Sequence, residues 1–251
     1  MLNQIVVAIR EQVATLKQTR ALAPASIAPA NFALSRAMQI ADWTLIAECK
    51  LASPAKGQLC ESLSVPELAK IFTDNGASAL SVHTSAPFKG KLSDIAAVRD
   101  VSPLPILRKD FIIDEYQLYE SRAAGADAIL LIAAILTDAE LNQFLATANR
   151  LGMDCLVEVH SLAELERVKS TSASLVGINN RNLNTFTTDI ANTFSLLPHC
   201  DSRWRLISES GIGSRSDAMQ LKQTGIDGIL VGESLVKAAD ISAHCRDLAL
   251  R

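Results

Sequence analysis

The chain has 251 residues, 49% of them hydrophobic, and a formal charge of −3; this length and apolar content suit one large α/β core. Acidic and basic residues are interspersed, without the basic stripe or lysine-rich tail that follows a nucleic-acid backbone, so no nucleic acid is expected as a partner. Five cysteines without a C-x-x-C pair, and four histidines without ligand spacing near them, argue against a disulfide framework and against a structural metal.

The elements are clearest in chain order. Residues 1–43 read as an N-terminal helical extension packed on one end of the fold. Its opening stretch MLNQIVVAIREQVATLKQTR sets apolar residues at helical spacing and lacks the continuous apolar core of a signal sequence. No segment of the chain approaches about 18 uninterrupted apolar residues, so the expectation is a soluble protein of the cytoplasm with no membrane partner. Short apolar runs then recur as strand candidates: Thr44–Cys49, Ala79–Val82, Pro105–Lys109, Ala128–Ile132, Cys155–Val159, Leu175–Asn179, Arg205–Ser208 and Gly228–Val231. Between them lie segments of helical periodicity, such as SVPELAKIFTDNGA and DAELNQFLATANRLG, several ending in a glycine just before the next strand. The phrases GADAILL and GIDGILV share that glycine stop, although the same local needs would produce both independently.

Strand–helix alternation with both faces of each strand apolar predicts a parallel sheet. Eight such units in about 250 residues fit a (β/α)8 TIM barrel, one domain over residues 1–251 that includes the N-terminal helical extension. An open doubly wound sheet is the alternative, but it usually brings a glycine-rich turn after the first strand. Here LASPAKG holds one glycine, Gly57.

Polar residues end these apolar strands. Side chains two apart share a face, so Glu48 and Lys50 both point into the mouth at the C-terminal end of the barrel. Lys109, Glu158, Asn179 with Arg181, and Glu209 close other strands in the same way. A lone charge at a strand end is most often where the chain reaches water. So many at one end of a barrel, where such folds keep their chemistry, point instead to a site. His83, in LSVHTS, reads as a mouth or packing residue, and Cys49 as a buried hydrophobe facing the helices. After the last two strands, SESGIGSRSD and VGESLVKA turn through glycine straight into helices, as a phosphate site needs. Gly211 and Gly232 would allow close backbone approach, Ser210 would offer a hydroxyl, and Lys50 a cation from across the mouth. The alternative is that these glycines serve only their turns. Pro54, Phe88, Phe111, Leu130 and Ile132 would supply an apolar floor, or ordinary core.

From about Phe32 to Leu235 the phrases IAECKLASPAKG, LPILRKDFIIDEYQLYESRAAGADAILLI, LVEVH, GINNRNLNTF, ISESGI and GILVGESL resemble the indole-3-glycerol-phosphate synthase family of tryptophan biosynthesis. The resemblance implies closure of 1-(2-carboxyphenylamino)-1-deoxyribulose 5-phosphate to indole-3-glycerol phosphate, with loss of CO₂ and water and without metal or organic cofactor. It implies Lys109 as the general acid at the ketone oxygen and Glu158 as its partner in dehydration, with Glu48, Asn179 and Glu209 as the polar ring around them. Lys50 would lie near phosphate and carboxylate and counts with the catalytic residues, its share of the proton transfer beside Lys109 left open, and Ser53, Arg181, Ser210, Gly211, Gly232 and the backbone at Glu233 would lie at phosphate or substrate positions. Departures from the family pattern are Cys49 for an aliphatic residue, Ala55 for a common serine and His83 for the leucine of SVLT. The alternatives are a phosphoribosylanthranilate isomerase-like barrel, which would need a cysteine and an aspartate as its acid–base pair, and a non-catalytic phosphate-binding barrel. Oligomeric state is left open, and LASPAKG is a candidate lid.

Overall fold

A computed structural model describes residues 2–20, 22, 27–53, 56–182, 185 and 187–251. Eight parallel strands close into a barrel: β1 (Thr44–Cys49), β2 (Ala79–His83), β3 (Ile106–Lys109), β4 (Ala128–Ile132), β5 (Asp154–Val159), β6 (Leu175–Asn179), β7 (Arg205–Glu209) and β8 (Gly228–Val231). The ring shuts where β1 pairs with β8, Thr44 opposite Gly228. Two strands reach further than expected, to His83 and Glu209, because both residues stay in the ladder opposite Lys109 and Asn179. The third starts later, at Ile106. Pro105 lacks an N–H and contributes only its carbonyl, which accepts from Leu80 N at 2.9 Å.

Each strand buries both faces, as a parallel sheet under helices must. The outward face, with Leu45, Ala47, Cys49, Val82 and Val157, packs against the helices. The inward face, with Ile46, Leu107, Leu130, Leu156, Ile207 and Leu230, fills the barrel. Nine helices follow the extension among the described residues: α3 (Val65–Asp74), α4 (Ser93–Arg99), α5 (Glu115–Ala123), α6 (Asp138–Arg150), α7 (Leu162–Lys169), α8 (Ala191–Leu196), α9 (Arg215–Gln223), α10 (Glu233–Val236) and α11 (Ile241–Leu248). Their starts are specified locally. Asp114 caps α5 with Gln117 answering three residues on, and Thr137 with Glu140 does the same for α6. The glycines of GADAILL and GIDGILV, Gly125 and Gly225, sit at φ 98° and 93°, where an L side chain is strained and glycine is not.

The N-terminal segment was expected on one end of the barrel and reaches both. In α2 (Ala33–Ile40) Leu34 and Met38 join the inner core and plug the bottom. Ser35 N donates to Asp154 Oδ2 at 3.1 Å. The chain passes α5, where Arg122 Nε donates to Ala28 O at 3.1 Å. The preceding helix α1 (Leu2–Thr19) then lies by the mouth, with Lys17 paired to Asp114 at 2.9 Å and Ile5 on the rim of the central cavity. Among the described residues no helix is long and apolar enough to cross a membrane.

Leu34 has no exposure, whereas Ile40 on the same helix is 88% exposed. Leu34→Ala is therefore expected to cost about 2–5 kcal/mol and Ile40→Ala less than about 0.5 kcal/mol. Urea unfolding midpoints of the two variants check this.

Candidate active site

The inward residues at the C-terminal strand ends line one cavity of about 430 Å³. On β1, Glu48 is 4% exposed, and its carboxylate has a partner on each side. Lys50 Nζ stands 3.4 Å from Oε1, and His83 Nε2 stands 3.2 Å from Oε2. Burial alone would raise the Glu48 carboxyl. Lys50, His83 and Lys109 outweigh it and hold the group well below the usual carboxylate range.

Lys109, at the end of β3, projects between two carboxylates, 2.9 Å from Glu158 Oε2 and 3.2 Å from Glu209 Oε2. Burial works against its charge, but Glu158, Glu209 and Glu48 together push its pKa above the usual lysine value. The two carboxylates diverge. Glu158 is raised by burial yet brought below its usual range by Lys109 and His160, whereas Glu209, equally buried, is lifted by burial and by Glu158 against the pull of Lys109. One member of the pair stays ionised while the other readily holds a proton. Asn179, level with Glu209 in the ladder, takes the backbone N–H of Arg181 on its Oδ1 at 3.0 Å. Behind Glu158, His160 Nε2 is 3.4 Å from Oε1, and its Nδ1 is 3.3 Å from Glu164.

Glycines make room for these acids. A Cβ at Gly177 would overlap Glu209 Oε1, and one at Gly232 would come within 2.9 Å of the Glu48 Cβ. Gly232 therefore serves the first-strand carboxylate as much as any phosphate. Facing outward beside Lys109, Arg108 is 4% exposed and tied to Asp110 at 2.9 Å, Glu120 at 3.0 Å, Ser121 at 3.0 Å and Thr84 at 2.9 Å. Asp110 in turn accepts from the Phe111 N–H at 2.9 Å. The guanidinium thus fixes the turn that follows Lys109.

One wall of the cavity is apolar. Phe88 and Phe111 lie 6.4 Å apart between ring centroids, Leu130 and Ile132 point in from β4, and Lys50 Nζ sits 5.2 Å above the Phe88 ring. Ser53, Arg181, Ser210, Gly211, Gly232 and Glu233 line the same cavity. Ser210 and Gly211 are both left-handed, at φ 68° and 76°. For Ser210 that is a strained state, held because the buried Asn180 Nδ2 donates to Ser210 O at 3.0 Å while Thr193 satisfies Asn180 Oδ1. Ser234 Oγ donates to Ile212 O at 2.9 Å and joins the two glycine turns. The helix after β8, α10, is a single turn, so backbone N–H groups and nearby cations, more than a helix dipole, would hold an anion there. Glu233 is itself paired with Lys56 at 2.6 Å and Lys237 at 3.1 Å. Around LASPAKG, the residues flanking Pro54 to Lys56 form a two-residue antiparallel ribbon, Ala52–Ser53 with Gly57–Gln58.

Every residue expected at the site lines this cavity except Pro54, which, like Ala55, lies outside the described residues. The sequence reading missed Arg108, Asn180, Lys56, Lys237 and Ile5. Arg108 carried a signal, since an arginine at an outward position of a buried strand demands acids nearby. Cys49 is buried in the sheet–helix layer and does not face the cavity, as expected, which leaves an isomerase-type cysteine without a place. Among the described residues no cluster of three or more His, Cys, Asp or Glu is arranged to hold a metal ion.

The family model described as indole-3-glycerol phosphate synthase matches residues 2–248. Among similar proteins, the indole-3-glycerol phosphate synthase of Desulforamulus reducens is 49% identical over 209 residues, 82% of this chain and 79% of the relative. That of Acetivibrio thermocellus is 46% identical over 207 residues, 82% of this chain and 80% of the relative. Among solved structures, the 3-hexulose-6-phosphate synthase of Salmonella typhimurium superposes with a TM-score of 0.66 at 18% identity, covering 82% of this chain and 97% of that one; that likeness speaks for the barrel alone. A family match along nearly the whole length, with relatives identical at almost half of the aligned positions, goes further than a shared barrel, and the chain belongs to the indole-3-glycerol phosphate synthase family.

Proposed function

We propose that this cavity closes the ring of 1-(2-carboxyphenylamino)-1-deoxyribulose 5-phosphate, a decarboxylating lyase reaction yielding indole-3-glycerol phosphate, CO₂ and water. The observation that carries the reading is the Lys109 ammonium held at 2.9 Å and 3.2 Å from Glu158 and Glu209, facing an aromatic wall on one side and paired glycine turns on the other. The substrate has matching parts: an arylamine with a carboxylate, a ketone, and a phosphate.

In the first step the electron-rich ring carbon that bears the carboxylate attacks the ketone carbon, and the carbonyl oxygen gains charge as the new C–C bond forms. Lys109 delivers a proton to that oxygen. A lysine whose pKa is raised gives up its proton only to a strong base, and a developing alkoxide is one. The C–CO₂⁻ bond then breaks, its electrons restore the aromatic ring, and CO₂ leaves. In the last step the new hydroxyl departs as water after taking a proton, while a base removes the proton that allows the double bond to form. Glu158, ionised, and Glu209, readily protonated, divide base and acid between them. Glu48 and Asn179 complete the polar ring. Lys50 anchors the substrate anions, Phe88, Phe111, Leu130 and Ile132 hold the aryl ring, and Ser53, Arg181, Ser210, Gly211, Gly232 and the Glu233 backbone receive the phosphate end. We place the reaction in the cytoplasm, carried by residues 1–251 as one barrel unit including its extension; five free cysteines suit a reducing compartment.

Purified protein given this substrate is expected to develop indole fluorescence and release CO₂. Folded protein that does neither ends the assignment. Lys109→Ala should lower kcat by about 10²–10⁴-fold and change the affinity for a reduced, unreactive substrate analogue by less than about tenfold. Steady-state kinetics and calorimetry on one preparation separate the two.

The Glu158–Glu209 pair also sets a pH dependence. Burial and mutual repulsion raise the group that protonates first, so as pH falls the pair takes up a proton above the ordinary carboxylate range of about 4. Glu209 works in its protonated form, so kcat/KM is expected to fall as pH rises through this raised pKa. Glu209→Gln removes the site of protonation, and the residual activity should keep its level to higher pH.

A further inference from the structure

His83 has no role in the chemistry above, yet its surroundings are unusual for a packing residue. It is 7% exposed, and neither ring nitrogen makes a well-formed hydrogen bond among the described residues. Burying a ring N–H without a partner is costly. The acceptor within reach is Glu48 Oε2, at 3.2 Å from Nε2. The ring lies flat on Phe88, 4.2 Å between centroids and 10° between planes. Strand register adds a third relation, since His83 stands opposite Lys109 in the ladder. One side chain therefore touches the first-strand carboxylate, the aromatic wall and the level of the central ammonium.

Glu48 needs what His83 offers. A buried carboxylate requires a partner on each oxygen, and among the described residues the Lys50 ammonium faces Oε1 and the His83 ring, which burial keeps toward its neutral form, faces Oε2. Without the imidazole, Glu48 would be free to turn both oxygens toward Lys50, and the lysine would be drawn from the substrate anions. An aliphatic side chain would fill the space and leave Oε2 unmatched.

We propose that His83 is a positioning residue, whose Nε2–H holds the outer oxygen of Glu48 while its ring seats Phe88 against the substrate's aryl group. Two separable contributions follow, one through the carboxylate and one through the aromatic wall. The inference rests on the proposed ring-closing reaction taking place in this cavity.

Two variants divide the contributions. His83→Phe keeps a ring on Phe88 and removes the N–H; kcat is expected to fall by about tenfold or more, with KM within about threefold of the wild type. His83→Gln keeps a donor for Glu48 and removes the ring; it should recover most of kcat and raise KM by about tenfold. Thermal unfolding of each variant checks its fold. If either fails to fold, ¹⁵N-histidine NMR of the wild-type protein decides: a His83 Nε2–H signal protected from exchange supports the proposal, and a proton on Nδ1 overturns it. Equal losses of kcat in the two folded variants, or no change in either, also overturn it. A wild-type protein without turnover removes the ring-closing reading and this one with it, whereas an active wild type with indistinguishable variants removes this one alone.

Discussion

An ammonium buried at the centre of a barrel survives only if negative charge surrounds it, and the mouth of this protein is organised around that constraint. Lys109 is held by Glu158 and Glu209, and Glu48, the third acid, is held in turn by Lys50 and His83. Three carboxylates against two lysines leave one negative charge in excess, and the raised pKa of Glu209 makes it the acid that takes up a proton most readily. Uptake of that proton brings the cluster close to neutral and sets a second proton beside the acid that has to give one away.

The same constraint shapes residues that carry no charge. Gly177 and Gly232 leave space that acid side chains occupy. The buried Arg108 lies on the other side of the strand, where Asp110, Glu120 and Thr84 lock the turn that carries Phe111. Charge inside the barrel and charge between strand and helices are thereby separated by a single residue step along β3. Moving that strand by one position would exchange Lys109 for Arg108 and dismantle both networks at once.

Much of this was legible because period-two alternation is a local property: Glu48, Lys50, Lys109, Glu158, Asn179 and Glu209 could be assigned to one end of the barrel from their strands alone. The glycine turns after β7 and β8 were equally visible. What stayed hidden depends on contacts between distant segments. Asn180 looks like a motif residue until it is seen holding Ser210 in a left-handed conformation. Lys56 and Lys237 acquire meaning only from Glu233 between them. His83 was noticed without a purpose, since nothing near it in sequence indicates that Glu48 is its neighbour. Residues 1–43 read as one helical extension, and nothing in their sequence shows that Ala28 lies against Arg122 of α5, between a helix at the mouth and a helix at the floor.

That path from mouth to floor has a consequence for how the chain comes together. Ser35 meets Asp154, which lies 119 residues later, and the barrel seam joins Thr44 to Gly228. On a ribosome the plug helix emerges early but has nowhere to dock until the fifth strand has been made, and the first strand keeps an open edge until the eighth arrives. For most of synthesis the segment destined for the barrel floor is without its partner and too short to hold a helix alone. Until then Leu34 and Met38 have no core to enter, and their apolar surface is open to other chains.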